Sequence, residues 1–402
     1  MYANLAVLAT FAFIYSLVAT RLERTPVNGP VVYILFGLLA GPVCLGLLNL
    51  SIGSAEIRVV AELTLAIVLF SDATNANLGV LRGSAGVPAR MLLFGLPLTL
   101  LMGFGAAALI FPELTLVEAA ILATMLAPTD AALGKAVVSN EAVPPTVRQG
   151  LNVESGLNDG ICVPVLFTFL ALASPGQHGD TQGLALVLTL VAEEIGIGAV
   201  VGVALAIAGA YGLKTSLARG WIAGPWLGLP IVALALTAFN LAQFAGGSGF
   251  IACFVGGLVF GARIGEHKHT LMEGAETIGE AFSLLTWVAF GAAVLLQHSG
   301  LVDIRTVIYA LLSLTVFRML PIFLSLLGVQ MPTKEKLFLG WFGPRGLASI
   351  VFAVIVLHDD LPGGRILTGA VVATVVMSIL SHGLSANPLA QRIGAAKDSR
   401  AA

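Results

Sequence analysis

Charged residues are scarce in this 402-residue chain: they make up 10% of it, against about 25% in soluble globular proteins. Hydrophobic residues make up 57%, and the formal net charge is only −2. The sequence has neither a basic patch nor an array of aromatic and basic residues, which a nucleic-acid-binding protein would show. These shortages exclude an ordinary soluble globular protein and give no support to a nucleic-acid partner.

Cysteine is also scarce, with three in the chain. Cys44, Cys162 and Cys253 each lie inside an apolar run at spacings that do not suit a metal site, so we expect small hydrophobic residues. The sequence shows no glycine-rich phosphate loop, no cluster of histidine and cysteine, and no nucleophile–base pair. We therefore expect neither an enzyme nor a resident cofactor.

What fills the sequence is a succession of apolar runs of roughly 20 residues, each long enough to cross the ~30 Å hydrocarbon core of a bilayer as a helix. The runs are continuous rather than alternating, which predicts helices. We predict thirteen spans with short connections, and we expect the first to be a retained helix because no basic segment precedes it. Their approximate bounds are 2–20, 30–49, 57–79, 87–111, 115–138, 147–172, 183–211, 220–240, 248–264, 275–297, 302–328, 335–357 and 363–386.

Basic residues are distributed unevenly between the two sides that these spans define. Of the 20, fifteen lie in alternate connections and the C-terminal segment, three lie on the other side, and Arg318 and Arg345 fall inside spans. The fifteen are Arg21, Arg24, Arg82, Arg90, Lys135, Arg148, Lys214, Arg219, Arg263, Lys268, Lys334, Lys336, Arg392, Lys397 and Arg400. Because basic loops stay in the cytoplasm, we predict an external N-terminus and a cytoplasmic C-terminus.

Two of the spans are interrupted by proline. The fifth contains Ala-Pro-Thr-Asp at residues 127–130, and the twelfth contains Gly-Pro-Arg-Gly at residues 343–346. Proline removes a backbone donor and breaks a helix, and the ends of half-helices can bind ions. The interruptions lie seven spans apart, so the two helices run in opposite directions, as an inverted-topology repeat predicts. We therefore predict a binding site near the membrane midplane, where the two breaks cross.

The sixth span holds the densest polar cluster, Glu-Ser-Gly-Leu-Asn-Asp at residues 154–159. Helical spacing puts Ser155 and Asp159 on one face and Glu154 and Asn158 on the adjacent face. A charged group within lipid costs at least ~2.5–3.5 kcal/mol, so each one needs a partner or a function. Oxygen ligands of this kind suit a hard monovalent cation. The alternative is that the carboxylates only join helices through hydrogen bonds.

Two arginines and several acidic residues complete the set of candidates. Arg318 and Arg345 are the only basic residues at midplane depth, and we expect one of them to neutralise Glu154, which leaves Asp159 as the titratable group. Spacing alone does not decide which arginine does so. Asp72, near the cytoplasmic end of the third span, is a secondary candidate at an entry funnel. Other acidic residues nearer span ends are expected to reach water; they are Glu118, Glu193, Glu194, Glu276 and Glu280.

At these residues the sequence resembles the sodium/proton exchangers of the NhaP type, within the monovalent cation:proton antiporters. Residues 127–130 resemble that family's fifth-helix motif, and residues 154–159 resemble its sixth-helix motif with the Asn-Asp pair. Arg318, followed by Pro321, resembles the eleventh-helix arginine, and residues 343–346 resemble the twelfth-helix Gly-Arg-Gly segment apart from the Gly-Pro start. The resemblance covers essentially the whole chain in order and spacing.

The resemblance implies an all-α integral membrane protein with the NhaA-like antiporter fold. That fold has about thirteen transmembrane helices, inverted repeats, and two interrupted helices, the fifth and the twelfth, that cross. The family also implies a homodimer in which each protomer has a mobile core and a dimerisation scaffold. The core would comprise residues 87–172 and 301–386, the scaffold residues 1–86 and 173–300, and residues 387–402 would form a short cytoplasmic tail.

Carried over residue by residue, the resemblance assigns roles at the site. Asp159 would carry both the cation and the proton, Glu154 would pair with Arg318, and Arg345 would lie near the interrupted twelfth helix. The residues expected to bind or support the Na⁺ ion share polar oxygen atoms; they are Asp159, Asp130, Ser155, Asn158 and Thr129, the last through its carbonyl.

The predicted function is secondary active antiport of Na⁺, and also Li⁺, against H⁺ in a cell or inner membrane, where it would serve pH homeostasis. Family members with the Asn-Asp pair are generally electroneutral, which implies one-for-one exchange. A K⁺/H⁺ antiporter is the alternative, because residue types do not rank the hard cations. A passive cation channel would carry current without a proton gradient, and a sodium-coupled symporter would need a larger polar pocket, so both are less favoured.

Overall fold

A computed structural model describes residues 2–23, 29–50, 55–76, 86–130, 133–138, 140, 142–173, 181–265, 268–295, 299–359 and 361–401. Regular structure in these residues is helical throughout, and no strand occurs among them. The helices are α1 (Tyr2–Glu23), α2 (Gly29–Ala40), α3 (Ala55–Asn75), α4 (Val87–Ile110), α5 (Leu116–Met125), α6 (Lys135–Val138), α7 (Pro145–Ala173), α8 (Thr181–Ala218), α9 (Leu229–Phe244), α10 (Gly249–Ile264), α11 (Lys268–Ala289), α12 (Ile304–Leu314), α13 (Val316–Ser325), α14 (Thr333–Trp341), α15 (Leu347–His358) and α16 (Gly364–Ala401).

The helices follow the thirteen predicted spans in order, with α5 and α6 forming the fifth, α12 and α13 the eleventh, and α14 and α15 the twelfth. Within the described residues, six helices are long and apolar enough to cross a membrane. They are Tyr2–Leu22, Val87–Ile110, Pro145–Ala173, Thr189–Ala218, Ile304–Ser325 and Gly364–Ile393. Shorter apolar helices lie between them, so the chain is an integral, multi-pass membrane protein.

Several predicted boundaries differ from the structure, including those of the eighth and last spans. The eighth span was placed at 220–240, but α9 begins only at Leu229, because the glycines and prolines before it form a short 3₁₀ turn and proline suits the first helical turn. The last span was placed to end at 386, but α16 continues to Ala401, and Ala390 is fully buried. The predicted tail is therefore mostly helix. Arg24 and Arg82 of the predicted topology lie outside the described residues.

The chain divides into two compact units. The first comprises residues 1–58, 79–158 and 284–402, and the second comprises residues 59–78 and 159–283. The predicted division into a mobile core and a scaffold concerns movement and stays a prediction.

The second unit is packed through small residues. A Cβ atom on Gly202 of α8 would overlap the backbone of Ala252 on α10, and one on Gly257 of α10 would overlap the carbonyl of Phe70 on α3. Membrane helices commonly approach closely at such positions, since lipid gives them no hydrophobic reason to associate and contact must come from packing.

The first unit holds both interrupted spans. We call the segment between Met125 and Lys135 the first break, and the segment between Trp341 and Leu347 the second break. Each helix that ends at a break leaves backbone carbonyls without helical partners, and each helix that begins there leaves free N–H groups. In lipid these groups need partners within the protein, which is what the site described below provides.

Candidate ion-binding site

A buried ion pair joins α7 to α13. The Arg318 guanidinium donates from Nη1 to Glu154 Oε1 at 2.6 Å and from Nη2 to Oε2 at 2.8 Å, which is a bidentate arrangement. The two side chains are 2% and 1% exposed. Which arginine faces Glu154 was open from spacing alone; in the structure it is Arg318, which lies 164 residues along the chain.

The polar face of α7 holds the first break through Thr129. Asn158 donates from Nδ2 to Thr129 Oγ1 at 2.6 Å, and its Oδ1 accepts from the Thr129 backbone N–H at 3.3 Å. Ser155 Oγ donates to the Thr129 carbonyl oxygen. Asn158 also donates to Glu154 Oε1 at 3.1 Å, one helical turn earlier. The hydroxyl, amide and carboxylate of the sixth-span motif therefore form one bonded cluster with the broken helix.

Asp130 accepts backbone hydrogen bonds at the N-terminus of α15 and in the turn before α6. Its Oδ2 accepts from the backbone N–H of Leu347, the first residue of α15, at 2.8 Å, and its Oδ1 accepts from Leu133 at 3.2 Å, just before α6. Its own N–H donates to the Pro344 carbonyl at 2.7 Å. A carboxylate is favoured at this position, because helix N-termini carry partial positive charge and free N–H groups.

Arg345 binds backbone carbonyls, the groups that carry the opposite partial charge. Its Nη1 donates to the carbonyls of Ala127 and Pro128, at 2.7 Å and 3.0 Å, in the first break. The side chain is fully buried. A cation is favoured where helix carbonyls end, for the same reason that an anion is favoured at the N-termini. The two breaks thus join each other in both directions, through Asp130 from the first break and Arg345 from the second.

The glycines of the second break leave room for these charged groups. A Cβ atom on Gly346 would overlap the carboxylate of Asp130, and one on Gly343 would overlap the guanidinium of Arg318. The Gly-x-x-Gly pattern at 343–346 therefore reflects two close approaches of charged side chains to the backbone.

Asp159 lies on α7 one turn beyond Ser155, and its side chain is buried. Asp72 lies half-buried near the C-terminal end of α3, in the second unit. The other predicted site residues, apart from these two, lie in the first unit and are joined by the hydrogen bonds and ion pair above; they are Thr129, Asp130, Glu154, Ser155, Asn158, Arg318 and Arg345.

One acidic residue was interpreted wrongly from the sequence. Glu118 was expected to reach water, but it is 2% exposed. It forms a capping box with Thr115 at the start of α5, and its Oε1 accepts from the Gly363 backbone N–H at 2.6 Å. Thr-x-x-Glu at the start of an apolar run is a capping signal that could have identified this role.

Sequence reasoning also missed His382 and Ser378 of α16, which adjoin the second break. Ser378 Oγ accepts from the Arg345 backbone N–H at 2.7 Å, and both side chains are buried. Their spacing of four residues within an apolar span is the signal that marks them.

The profile of the family described as "Sodium/hydrogen exchanger, transmembrane" matches residues 7–392. The chain belongs to the sodium/hydrogen exchanger family.

Among its relatives, the K(+)/H(+) antiporter NhaP of Alkalimonas amylolytica is 25% identical over 390 residues, which cover 94% of this chain and 65% of the relative. The K(+)/H(+) antiporter NhaP2 of Shewanella baltica is 23% identical over 81% of this chain and 56% of the relative. The Na(+)/H(+) antiporter 2 of Zygosaccharomyces rouxii is 26% identical over 87% and 45%. The chain thus spans less than two thirds of the length of these curated relatives.

Among solved structures, the sodium proton antiporter MjNhaP1 from Methanocaldococcus jannaschii at pH 8 matches with a TM-score of 0.75 and 21% identity, over 95% of this chain and 98% of that one. This likeness confirms the predicted all-α antiporter fold of this exchanger-family chain.

Proposed function

We propose that the protein is a secondary active antiporter that exchanges a monovalent cation for a proton. The observation that carries the proposal is the junction of the two breaks, where buried oxygen atoms, a bidentate ion pair and two charged helix-end partners gather beside the helix that bears Asp159. Such crossings of interrupted helices are where transporters bind their ions.

The fixed charges at the junction support a role for Asp159 as carrier. Arg318 neutralises Glu154, and the carboxylate of Asp130 accepts from the backbone N–H groups of Leu347 and Leu133. The charges of both acids are thus compensated in the described state. Asp159 would hold either a proton or a cation. The site would move across the membrane only with one of them bound, because a charged carboxylate is costly in a buried site.

The cation would need oxygen ligands in addition to the carboxylate of Asp159. We infer that it binds the Ser155 hydroxyl and the Thr129 carbonyl, which bond to each other in the structure, while Asn158 holds Thr129 in place. Asp130 would contribute through its carboxylate. Binding would exchange the Ser155–Thr129 hydrogen bond for two contacts with the ion. Hard monovalent cations prefer such oxygen ligands.

Na⁺, with Li⁺, is the first candidate ion, and K⁺ is the second. The family's description and the name of MjNhaP1 favour sodium. The names of the Alkalimonas and Shewanella relatives favour potassium. One-for-one, electroneutral exchange is the expected stoichiometry for either ion.

We further propose a homodimer in a cell or inner membrane, with the N-terminus outside and the C-terminus in the cytoplasm. Single cysteines at the exposed positions Glu113 and Lys334, in a chain without its native cysteines, test the orientation. A membrane-impermeant maleimide added to intact cells should label the cysteine at 113 and spare the one at 334; the reverse pattern would invert the topology. Light scattering of the detergent-solubilised protein tests the dimer.

Exchange itself is tested in sealed vesicles that contain the purified protein. An acid interior is imposed, Na⁺, Li⁺ or K⁺ is added outside, and the internal pH is followed, with an uncoupler as the control for vesicle integrity. We expect cation-dependent alkalinisation that Asp159→Asn abolishes and that Glu193→Gln, at an exposed carboxylate on α8, retains. Folded protein that gives no response to any cation would reject antiport.

A further inference from the structure

A histidine of α16 lies against the start of the second break. His382 is 1% exposed, and its Nε2 lies 2.9 Å from the carbonyl oxygen of Trp341, the last residue of α14. Its ring lies against those of Trp341 and Phe342, with centroids 5.2 Å and 6.1 Å away. His382 therefore meets the last carbonyl of α14, which has no partner within the helix and also accepts from the Gly343 backbone N–H at 2.8 Å.

Both ring nitrogens of His382 have acceptors within hydrogen-bonding distance. A carbonyl oxygen only accepts, so the contact with Trp341 is a hydrogen bond that Nε2 donates. Nδ1 lies 2.9 Å from the Ser378 carbonyl oxygen of its own helix and 3.2 Å from Ser378 Oγ, which in turn accepts from the Arg345 N–H at 2.7 Å. The imidazole thus lies between the Trp341 carbonyl and Ser378, which anchors the Arg345 backbone.

We infer that His382 is a positioning residue for the ion site: together with Ser378 it fixes the two ends of the second break relative to each other. Trp341 lies before the break and Arg345 lies within it, and the chain of hydrogen bonds runs between them across α16. A residue that only filled space in the core would not need a ring nitrogen at hydrogen-bonding distance from the Trp341 carbonyl.

A shift of the second break would affect the ion site through Arg345. The backbone of Arg345 is anchored by Ser378, and its side chain binds the Ala127 and Pro128 carbonyls, which directly precede Thr129. Each broken helix thereby receives a side-chain nitrogen at carbonyls that end or follow its first half: Arg345 at Ala127 and Pro128 in the first break, and His382 at Trp341 in the second. Loosening His382 should let the second break shift and should displace Arg345 from the first.

Three substitutions of His382 distinguish a positioning role from a role in packing alone. The side-chain amide of His382→Gln can place its N–H near the position of the imidazole Nε2 and should rescue the bond to Trp341. The shorter amide of His382→Asn matches Nδ1 and should not reach Trp341. His382→Ala removes both contacts. His358, whose described contact is with a carbonyl of its own helix, supplies the matched control as His358→Ala.

The transport readout rests on the proposed antiport. In sealed vesicles we expect His382→Ala and His382→Asn to raise the KM for the cation by about tenfold, the size of one lost buried hydrogen bond, with His382→Gln and His358→Ala close to the native value. Equal effects of Gln and Asn would overturn the positioning role, because they would show that the bond to Trp341 does not matter.

A second readout is independent of transport, so that failure of the function and failure of this inference can be told apart. Hydrogen–deuterium exchange of the detergent-solubilised protein follows the amides of residues 341–347. We expect faster exchange there in His382→Ala, His382→Asn and Ser378→Ala, near-native exchange in His382→Gln, and no change in His358→Ala. Unchanged protection in His382→Ala would overturn the inference whether or not the vesicles show antiport.

Discussion

The guanidinium of Arg318 and the carboxylate of Glu154 depend on each other, because each would be an uncompensated buried charge without its partner. Their side chains are almost fully buried, and the bond is bidentate. Such a pair need not stabilise the fold more than two apolar residues would, but breaking it leaves a charge in a medium that solvates it poorly.

We therefore expect Arg318→Met to destabilise the protein by about 3–5 kcal/mol, and the double variant with Glu154→Gln to recover part of that loss. The measurement is the thermal unfolding midpoint in detergent. Arg305→Met is the matched control, since its pair with Glu113 is exposed and is expected to change the midpoint little. An Arg318→Met midpoint equal to that of the control would contradict a buried, interdependent pair.

Gly343 and Gly346 lead to a second expectation at the residue scale. Because a methyl group at either position would overlap Arg318 or Asp130, Gly343→Ala and Gly346→Ala should each abolish cation-dependent proton flux in vesicles. Gly105→Ala on α4 is the control, since nothing lies within 4 Å of the added carbon. Native flux in Gly346→Ala would show that transport does not require the Asp130 carboxylate at its observed position.

At the scale of elements, the two breaks behave as one electrostatic unit. Carbonyls freed at the first break bind Arg345, and N–H groups freed at the start of α15 bind Asp130. The residues are of opposite charge and each is placed at the helix end of the opposite partial charge. The arrangement gives partners inside the protein to the Ala127 and Pro128 carbonyls and to the Leu347 N–H, which irregular backbone within a membrane requires.

Charge and hydrogen bonding at Arg345 can be separated. Arg345→Lys keeps a cation and several N–H donors near the Ala127 and Pro128 carbonyls, whereas Arg345→Gln keeps donors and loses the charge. We expect Lys to retain a measurable part of the exchange rate and Gln to lose it, by initial rates in vesicles with protein amounts matched by size-exclusion chromatography. Equal rates in the two variants would mean that charge at this helix end is unimportant.

The elements could be read from the sequence because their signals are local. Prolines mark both breaks, and four-residue spacing predicts which polar groups of α7 share a face. Partners far apart in the chain could not be derived in this way: 164 residues separate Arg318 from Glu154, and 245 separate Gly363 from Glu118. Glu118 was interpreted wrongly because a carboxylate near a span end can reach water equally well, and only the fold supplies the N–H it binds.

A polar cluster at the start of α12 gives an expectation for pH. A hydrogen bond from Arg305 lowers the pKa of Glu113 below its ordinary 4.5, and the backbone N–H of Thr306 lowers the pKa of Asp303 below 3.8. A carboxyl group with a lowered folded-state pKa stabilises the fold above its unfolded pKa and loses that contribution as the pH falls through the lowered value.

Arg305→Gln should therefore lower the thermal midpoint by a small, constant amount above about pH 5, where both carboxyl groups are charged in the native and unfolded chain. The difference from the native protein should narrow below about pH 4 as the groups protonate. The pH profile of exchange between pH 6 and 9 should stay unchanged. A midpoint difference that grows on acidification would show that folding does not lower the pKa values of these carboxyl groups.

At the scale of the whole molecule, the proposed single carrier residue would make binding of the cation and binding of the proton mutually exclusive. Linkage then requires that protons weaken cation binding by the same factor by which the cation weakens proton binding. In the acid range where the site is mostly protonated, we expect the apparent KM for the cation to rise by about tenfold per unit of falling pH, with the maximal rate at saturating cation much less affected. Initial rates measured at several cation concentrations from pH 6 to 9 provide both values. A KM independent of pH, with only the maximal rate changing, would place the proton and the cation at separate sites and would remove Asp159 as their common carrier.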